Sequence, residues 1–411
     1  MSYSPLGDFM RVLALLPSFY GKDGSAVNER QLIAALASKV EKCYVATFVG
    51  FTQVFAKQRE DLKVDLPKNV IVIPLPLPEV NVLVVHLAMI SVSCIMSLIA
   101  LIMDILRKIN LIYIRYSFLA VGFLIFRSLA EKTVIKMPAI IEDEMPTTSV
   151  SKFFIGKIAP LMDRLVLAKG KKIVVSSRIF YNELVRRRSF IHNDEPLIIS
   201  AGVNLSLIEK VKRQISNSLP KNTIDIGFLG SLAWWQGVEN LVRAITLLNK
   251  KMLNLRLVII GDGESRRLIE ELCRSSGISY EITGFIPHEE ALKRLETLEV
   301  MVLPRKKTPT TESIIPIKVI EAWALGIPVI VTKHKVFLDN KIRDYEDVIY
   351  CEPEPNSVAN AIHALLTNDE LRKRLKTNGP KLARRFDYSK IAERILKTII
   401  DQADPKRPTY D

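Results

Sequence analysis

Lys318 and Glu321 stand three residues apart near the start of PIKVIEAWALGIPVI, residues 316–330. On a helix that spacing puts an ammonium and a carboxylate on one face. Pro316 fits the first helical position, Gly326 fits just past the end, and Pro328 forbids continuation. The amides of Ile317 and Lys318 are then unpaired donors at the positive end of the helix, an anion site to which Lys318 adds a full charge. A cation with bare amides suits a diphosphate, and a carboxylate one turn on suits sugar hydroxyls. The same pair would also serve an ordinary amphipathic helix as a surface ion pair, so the neighbouring segments must decide.

Those segments alternate between strand and helix patterns. Residues 300–303, VMVL, are apolar and closed by Pro304, as in a buried parallel strand. Residues 224–229 form another strand, followed by Gly230, Ser231 and LAWWQG, which ends in Gln236 and Gly237. Residues 255–260 run into Gly261-Asp262-Gly263-Glu264. Gly230, Gly261 and Gly263 read as positions where backbone approaches a nucleotide, although strand-end glycines also serve simply to turn the chain. Of Trp234 and Trp235, at least one is expected in the core. His288, following Pro287, reads as a surface or capping residue.

The first half has the same rhythm. A strand at 11–16 leads to a turn holding Gly21 and Gly24, then to a helix with Leu32, Ile33, Leu36 and Val40 on one face. A strand at 134–141 runs into Glu142, Asp143 and Glu144, carboxylates at the strand end where α/β sheets place ligand contacts. An apolar helix is expected over 119–129. Residues 213–223, polar with a proline, read as a linker, after which the alternation restarts. The fold class is therefore α/β, with a covered parallel sheet formed twice.

Length and composition agree. A chain of 411 residues favours two domains of about 200 residues each, and 48% apolar with 25% charged residues excludes a disordered chain. Fifty-eight Lys and Arg against 44 Asp and Glu leave +14, which favours a nucleic acid, an acidic membrane or phosphorylated small molecules as partner. No basic-aromatic stripe supports nucleic acid. Cys43, Cys94, Cys273 and Cys351 are far apart with no C-x-x-C, which predicts reduced thiols and gives no metal signature. No basic leader with a cleavage site precedes the first strand, so no secretory signal is expected.

Residues 82–106 are almost wholly apolar and long enough to span a bilayer. His86, Ser93, Ser97 and Asp104, spaced by seven, four and seven, line one stripe of that helix. A crossing would also separate the strands before residue 82 from those after residue 110. A buried helix, or one docked shallowly in a leaflet with Arg107 and Lys108 at its end, is expected instead of a span.

Taken in order, the turn at Gly21 to Gly24, SAGVN at 200–204, GFLGSLAWWQGVENLVRAI, LVIIGDGESRRLIEEL, ITGFIPHEEALKRL, VMVLP and PIKVIEAWALGIPVIV resemble the GT-B glycosyltransferases of family 4, retaining enzymes that use nucleotide sugars. The resemblance covers nearly the full chain and implies two Rossmann-like domains facing each other across a cleft. Residues 1–212 would form the acceptor side, 213–223 the linker and 224–386 the donor side, with 387–403 packing back on the first domain. It also implies sugar transfer with no bound metal and no cofactor, the nucleotide sugar being a co-substrate. Glu321 matches the family's second motif glutamate, which binds ribose; the first falls on Ser313, with Glu312 off register by one. The family's basic pair for the diphosphate is replaced near Ser231 and Gln236, and Lys318, Arg305, Lys306 or Lys307 would supply the charge. The family's N-domain histidine is replaced within 142–144, Glu144 being nearest, so Glu142, Glu144 and Lys318 are the expected catalytic groups. A lipid-linked acceptor, an anionic membrane surface and a cytoplasmic position on the inner face of the cell membrane complete the expectation. A nucleotide-sugar epimerase or a degenerate membrane scaffold are the alternatives, while an incomplete glycine fingerprint disfavours a dinucleotide oxidoreductase.

Overall fold

The strand-forming runs are short, rich in Val, Ile and Leu, and buried on both faces, which is the condition for parallel pairing under helices. The computed structural model describes residues 10–17, 19–21, 24–50, 66–77, 82–138, 140, 150–170, 172–189, 195–215, 223–249 and 254–403. Seven strands form the first sheet: β1 (Arg11–Leu15), β2 (Lys42–Gly50), β3 (Val70–Leu77), β4 (Leu111–Arg115), β5 (Thr133–Met137), β6 (Lys172–Val175) and β7 (Leu197–Ile198). Their spatial order is β3-β2-β1-β4-β5-β6-β7. The second sheet holds β8 (Ile224–Leu229), β9 (Leu255–Ile260), β10 (Ser279–Ile282), β11 (Val300–Leu303), β12 (Val329–Thr332) and β13 (Ile349–Cys351) in the order β10-β9-β8-β11-β12-β13. All the strand pairs are parallel.

The chain divides into two units, one of residues 1–200 and 388–411, the other of Ala201–Asp387. The boundary thus lies before the expected 213–223 linker. Leu205–Ile215 is a helix that packs on the His288–Glu296 and Ile317–Leu325 helices, so residues up to 215 belong to the second unit. Residues 216–222 lie outside the described set. The helix Tyr388–Ala403 belongs to the first unit, where it packs on Gly24–Ala37 and buries Ile391, Ala392 and Ile395 on the sheet.

On the opposite face of the first sheet lies the helix Val82–Ile105. Ser93, Ser97 and Asp104 face inward, while Ser91 is exposed and bonds the Leu87 carbonyl of its own helix. Ser93 Oγ donates to the Leu119 carbonyl at 2.7 Å and accepts the Gly122 amide at 2.9 Å, and Asp104 pairs with Lys132. The His86 side chain lies outside the described set. Outward, Leu87, Ile95, Leu98, Ile99, Ile102 and Ile105 form an exposed apolar stripe, with Ile105 72% exposed. This reverses the usual arrangement of a surface helix. Residues 87–105 have the length and composition of a membrane span, but β3 and β4, which precede and follow the helix, lie in one sheet. A crossing is therefore impossible without breaking that sheet.

The helix expected over 119–129 is broken into Ser117–Ala120, a tighter turn at Val121–Leu124, and Arg127–Lys132. Gly122 explains the break: a Cβ there would sit 2.5 Å from the Ser93 carbonyl oxygen, so the chain bends where it touches the long helix.

One buried group makes the first unit sensitive to pH. Lys136, on β5, donates to the Ile199 carbonyl at 2.5 Å, and Arg115 lies 3.1 Å from Glu29. Burial, followed by repulsion from Arg115, lowers the Lys136 pKa from 10.5 to about 7. Between those values the unfolded chain holds a proton that the folded chain lacks, so stability rises with pH through this window. Below about 7 the full cost is present. Lys136→Met removes this dependence. Its melting temperature relative to wild type should be highest near neutral pH and fall steadily toward pH 10, measured by thermal melts across that range.

Candidate active site

The strand order of the second sheet reverses between β8 and β11, so the chain leaves their carboxyl ends in opposite directions, the place where α/β sheets bind ligands. Gly230 and Ser231 follow β8, Gly261 to Glu264 follow β9, and Pro304 to Lys307 follow β11. Backbone hydrogen bonds lock the first two loops together: Gly230 N to Ile260 O, Leu232 N to Asp262 O and Ser265 N to Leu232 O, each 2.9 Å. Gly230 and Gly261 have φ of +134° and +143°, which side chains other than glycine rarely adopt. A Cβ on Gly230 would meet Lys318 Nζ at 1.7 Å. Glycine here is what lets the lysine lie directly against the β8 turn.

Lys318 reaches that turn from the helix Ile317–Leu325, which follows β11. Pro316 is the N-cap, one place earlier than expected, and Ile317 and Lys318 open the helix. Gly326 closes it with φ of +82°. The Lys318 ammonium lies 5.0 Å from the centre of the Phe228 ring. Burial and, next, the nearby Arg305 lower its pKa to about 7, against which Glu321 acts.

The four expected cations now separate. Lys306 is paired with Glu239 at 2.8 Å and Lys307 with Glu352 at 2.6 Å. Arg305 is only 9% exposed, and its Nε and Nη1 have no hydrogen-bond partner among the described residues. Burial alone lowers its pKa to about 10. Lys318, half-buried, and Arg305, buried, are therefore two basic groups close enough to repel, and an anion between them would relieve both desolvation and repulsion.

Glu321 is 2% exposed, and its Oε1 lies 2.6 Å from His288 Nε2. His288 opens the helix His288–Glu296 and is half-buried, as a surface residue at a helix start can be, but it pairs with the carboxylate, a partner not expected from the sequence. Nothing local in the sequence joins these two positions. Ser313 turns its hydroxyl onto the Pro309 carbonyl at 2.6 Å, and Glu312 is taken by His334 Nδ1 at 3.1 Å, so neither stands beside Glu321 as a second acid. Gln236 is buried with its Oε1 unpartnered among the described residues, whereas Ser231 is exposed. Trp234 and Trp235 are both exposed and contact each other edge-on with centres 6.0 Å apart, so neither fills the core.

The remaining expected residues lie in the first unit. Gly21 accepts a hydrogen bond from Arg30 Nη1 at 2.7 Å through its carbonyl. Gly24 starts the helix Gly24–Ala37 with open space where a Cβ would be, so the fold does not require glycine there. Glu142 and Glu144 fall outside the described residues.

Comparison with known proteins agrees with this geometry. Residues 210–382 match the family described as Glycosyl transferases group 1. Anabaena HepE, solved in complex with UDP-glucose, superposes with a TM-score of 0.67 over 95% of this chain and 100% of that one, at 14% identity. The fold is GT-B. Among curated relatives, a glycosyltransferase of Methanocaldococcus jannaschii is 26% identical over 194 residues, 46% of this chain and 48% of that protein. The alpha-monoglucosyldiacylglycerol synthase of Acholeplasma laidlawii is 25% identical over 57% of this chain and 59% of its own length. The first curated relatives are thus aligned over about half of their length. In this GT-B chain the matched segment includes every second-unit residue of the candidate site, from Gly230 to Glu321.

The two glycine turns set a limit on substitution. A Cβ on Gly261 would lie 2.1 Å from the Gly230 carbonyl oxygen at a φ that already strains any side chain. Gly261→Ala should lower stability by about 2–4 kcal/mol, read from urea unfolding followed by tryptophan fluorescence.

Proposed function

We propose that this protein is a glycosyltransferase that moves a hexosyl group from a nucleotide sugar to a membrane-associated, lipid-linked acceptor, with retention at the anomeric carbon and without a bound metal. The observation that carries the reading is the half-buried Lys318, lying against the Gly230 turn at a helix start, with the buried Arg305 nearby. When the glycosidic bond to a nucleoside diphosphate breaks, the departing group keeps the bonding pair and its charge grows. Fixed cations and amides stabilise that charge more than they stabilise the ground state. In this reading Glu321 binds ribose hydroxyls, as the family resemblance implies, and Glu142 and Glu144 serve the developing positive sugar centre. Retention and metal independence come from the resemblance to family 4. The nucleotide sugar is supported by the UDP-glucose bound in HepE, and a lipid acceptor by the name of the diacylglycerol synthase.

Lys318→Ala and Glu321→Ala should each reduce transfer by about 100-fold or more while leaving the thermal melt near wild type. A panel of UDP-, GDP- and ADP-sugars with polyprenyl phosphate-linked acceptors supplies the assay and identifies the donor. Undiminished transfer in both variants would refute the assignment.

The membrane part rests on the outward stripe of Val82–Ile105 and on Arg107 and Lys108 just past its end, both exposed. Apolar side chains would enter the leaflet with the helix lying in its plane, and the cations would meet anionic headgroups. Wild-type protein should float with anionic vesicles at low salt. The doubly substituted Leu98→Ser, Ile102→Ser protein should remain at the bottom of the gradient with an unchanged melt.

A further inference from the structure

His288 and Glu321 meet from two different helices, and the contact is closer than burial of a carboxylate alone would require. Glu321 sits on the inward face of Ile317–Leu325 among Val319, Ile320, Ala322 and Trp323, all buried. A carboxylate can only accept a hydrogen bond, so at 2.6 Å the His288 Nε2 carries the proton that joins them. The histidine is itself held in place. Thr283, five residues earlier, accepts the Gly261 amide through its hydroxyl at 3.3 Å and donates its own amide to Ile259 at 3.0 Å. Gly284 then turns with φ of +70° before Pro287 caps the helix that His288 opens. The segment bearing His288 is therefore fastened to the Gly261 turn, which is itself bonded to the Gly230 turn that borders Lys318.

We infer that His288 is a positioning residue that sets which ribose hydroxyls this site accepts. This rests on the proposed role of Glu321 as the ribose acid. With Oε1 engaged by the imidazole, the rotation of the carboxylate is fixed, and Oε2 is the oxygen left to accept from a hydroxyl of the incoming nucleotide. Without His288 the carboxylate would rotate, or turn to the ammonium of Lys318 one turn away, and its preference for a particular hydroxyl would be lost. The imidazole does not touch the ligand; it acts through Glu321.

Calorimetric titration of the full-length protein tests this. The probes are the tightest binder among UDP, GDP and ADP, together with its 2′-deoxy and 3′-deoxy forms, against wild type, His288→Ala and His288→Gln. Wild type should bind the ribonucleotide about tenfold more tightly than the weaker deoxy form. His288→Ala should lose about tenfold for the ribonucleotide and nothing for that deoxy form, so the ratio collapses toward one. His288→Gln, whose amide can still donate to Glu321, should keep most of the ratio. A purely structural role would lower the melting temperature of His288→Ala without altering the ratio. His288→Ala retaining the wild-type ratio would overturn the inference. Equal binding of ribo and deoxy forms by wild type would instead remove the ribose role of Glu321, and failure to bind any of the three nucleotides would remove the proposed function as well.

Discussion

Two basic groups held near each other and largely away from water are costly to charge together, and the second unit fixes both in place. Arg305 is fixed by the turn that closes β11, and Lys318 is fixed by the helix that follows it. The parallel pairing of β8 with β11 brings the Gly230 turn against them. Each element has its own reason to form: apolar strands under helices, a proline at the helix entrance, glycine where the backbone must come close. Their joint effect is a corner with an electrostatic deficit, which a diphosphate is well suited to fill. The lowered pKa of Lys318 has the same origin, since burial and Arg305 act in the same direction.

The first unit follows a different logic. Its core on one sheet face is closed by Gly24–Ala37 and the returning Tyr388–Ala403 helix, and on the other by Val82–Ile105. Two polar groups of that last helix, Ser93 and Asp104, make internal contacts with Leu119, Gly122 and Lys132. The same contacts bend the following segment and so decide where the next helices start. Local packing, not helix propensity, sets those boundaries.

How much could be read beforehand depended on how local the cause was. The glycine turns and the Lys318–Glu321 spacing are short-range features, and the sequence made both visible. The choice of Arg305 over Lys306 and Lys307 was not visible, because the competing cations are neutralised by Glu239 and Glu352, which lie far along the chain. The partner of Glu321 lies 33 residues away, at a helix start whose sequence looks like an ordinary cap. The first serine-bearing stripe was visible as a period, but a period does not say which side faces the sheet. The boundary near residue 200 escaped for a similar reason: a polar stretch looks like a linker even where the helix before it is already committed to the second unit.

The outward face of Val82–Ile105 has a consequence for the protein in solution. Leu98, Ile102 and Ile105 are substantially exposed, so they add little to the core and polar replacements there would leave the fold intact. Left in water, a stripe of this kind, with Ser91 as an exposed polar member, would draw copies of the protein together through their apolar side chains.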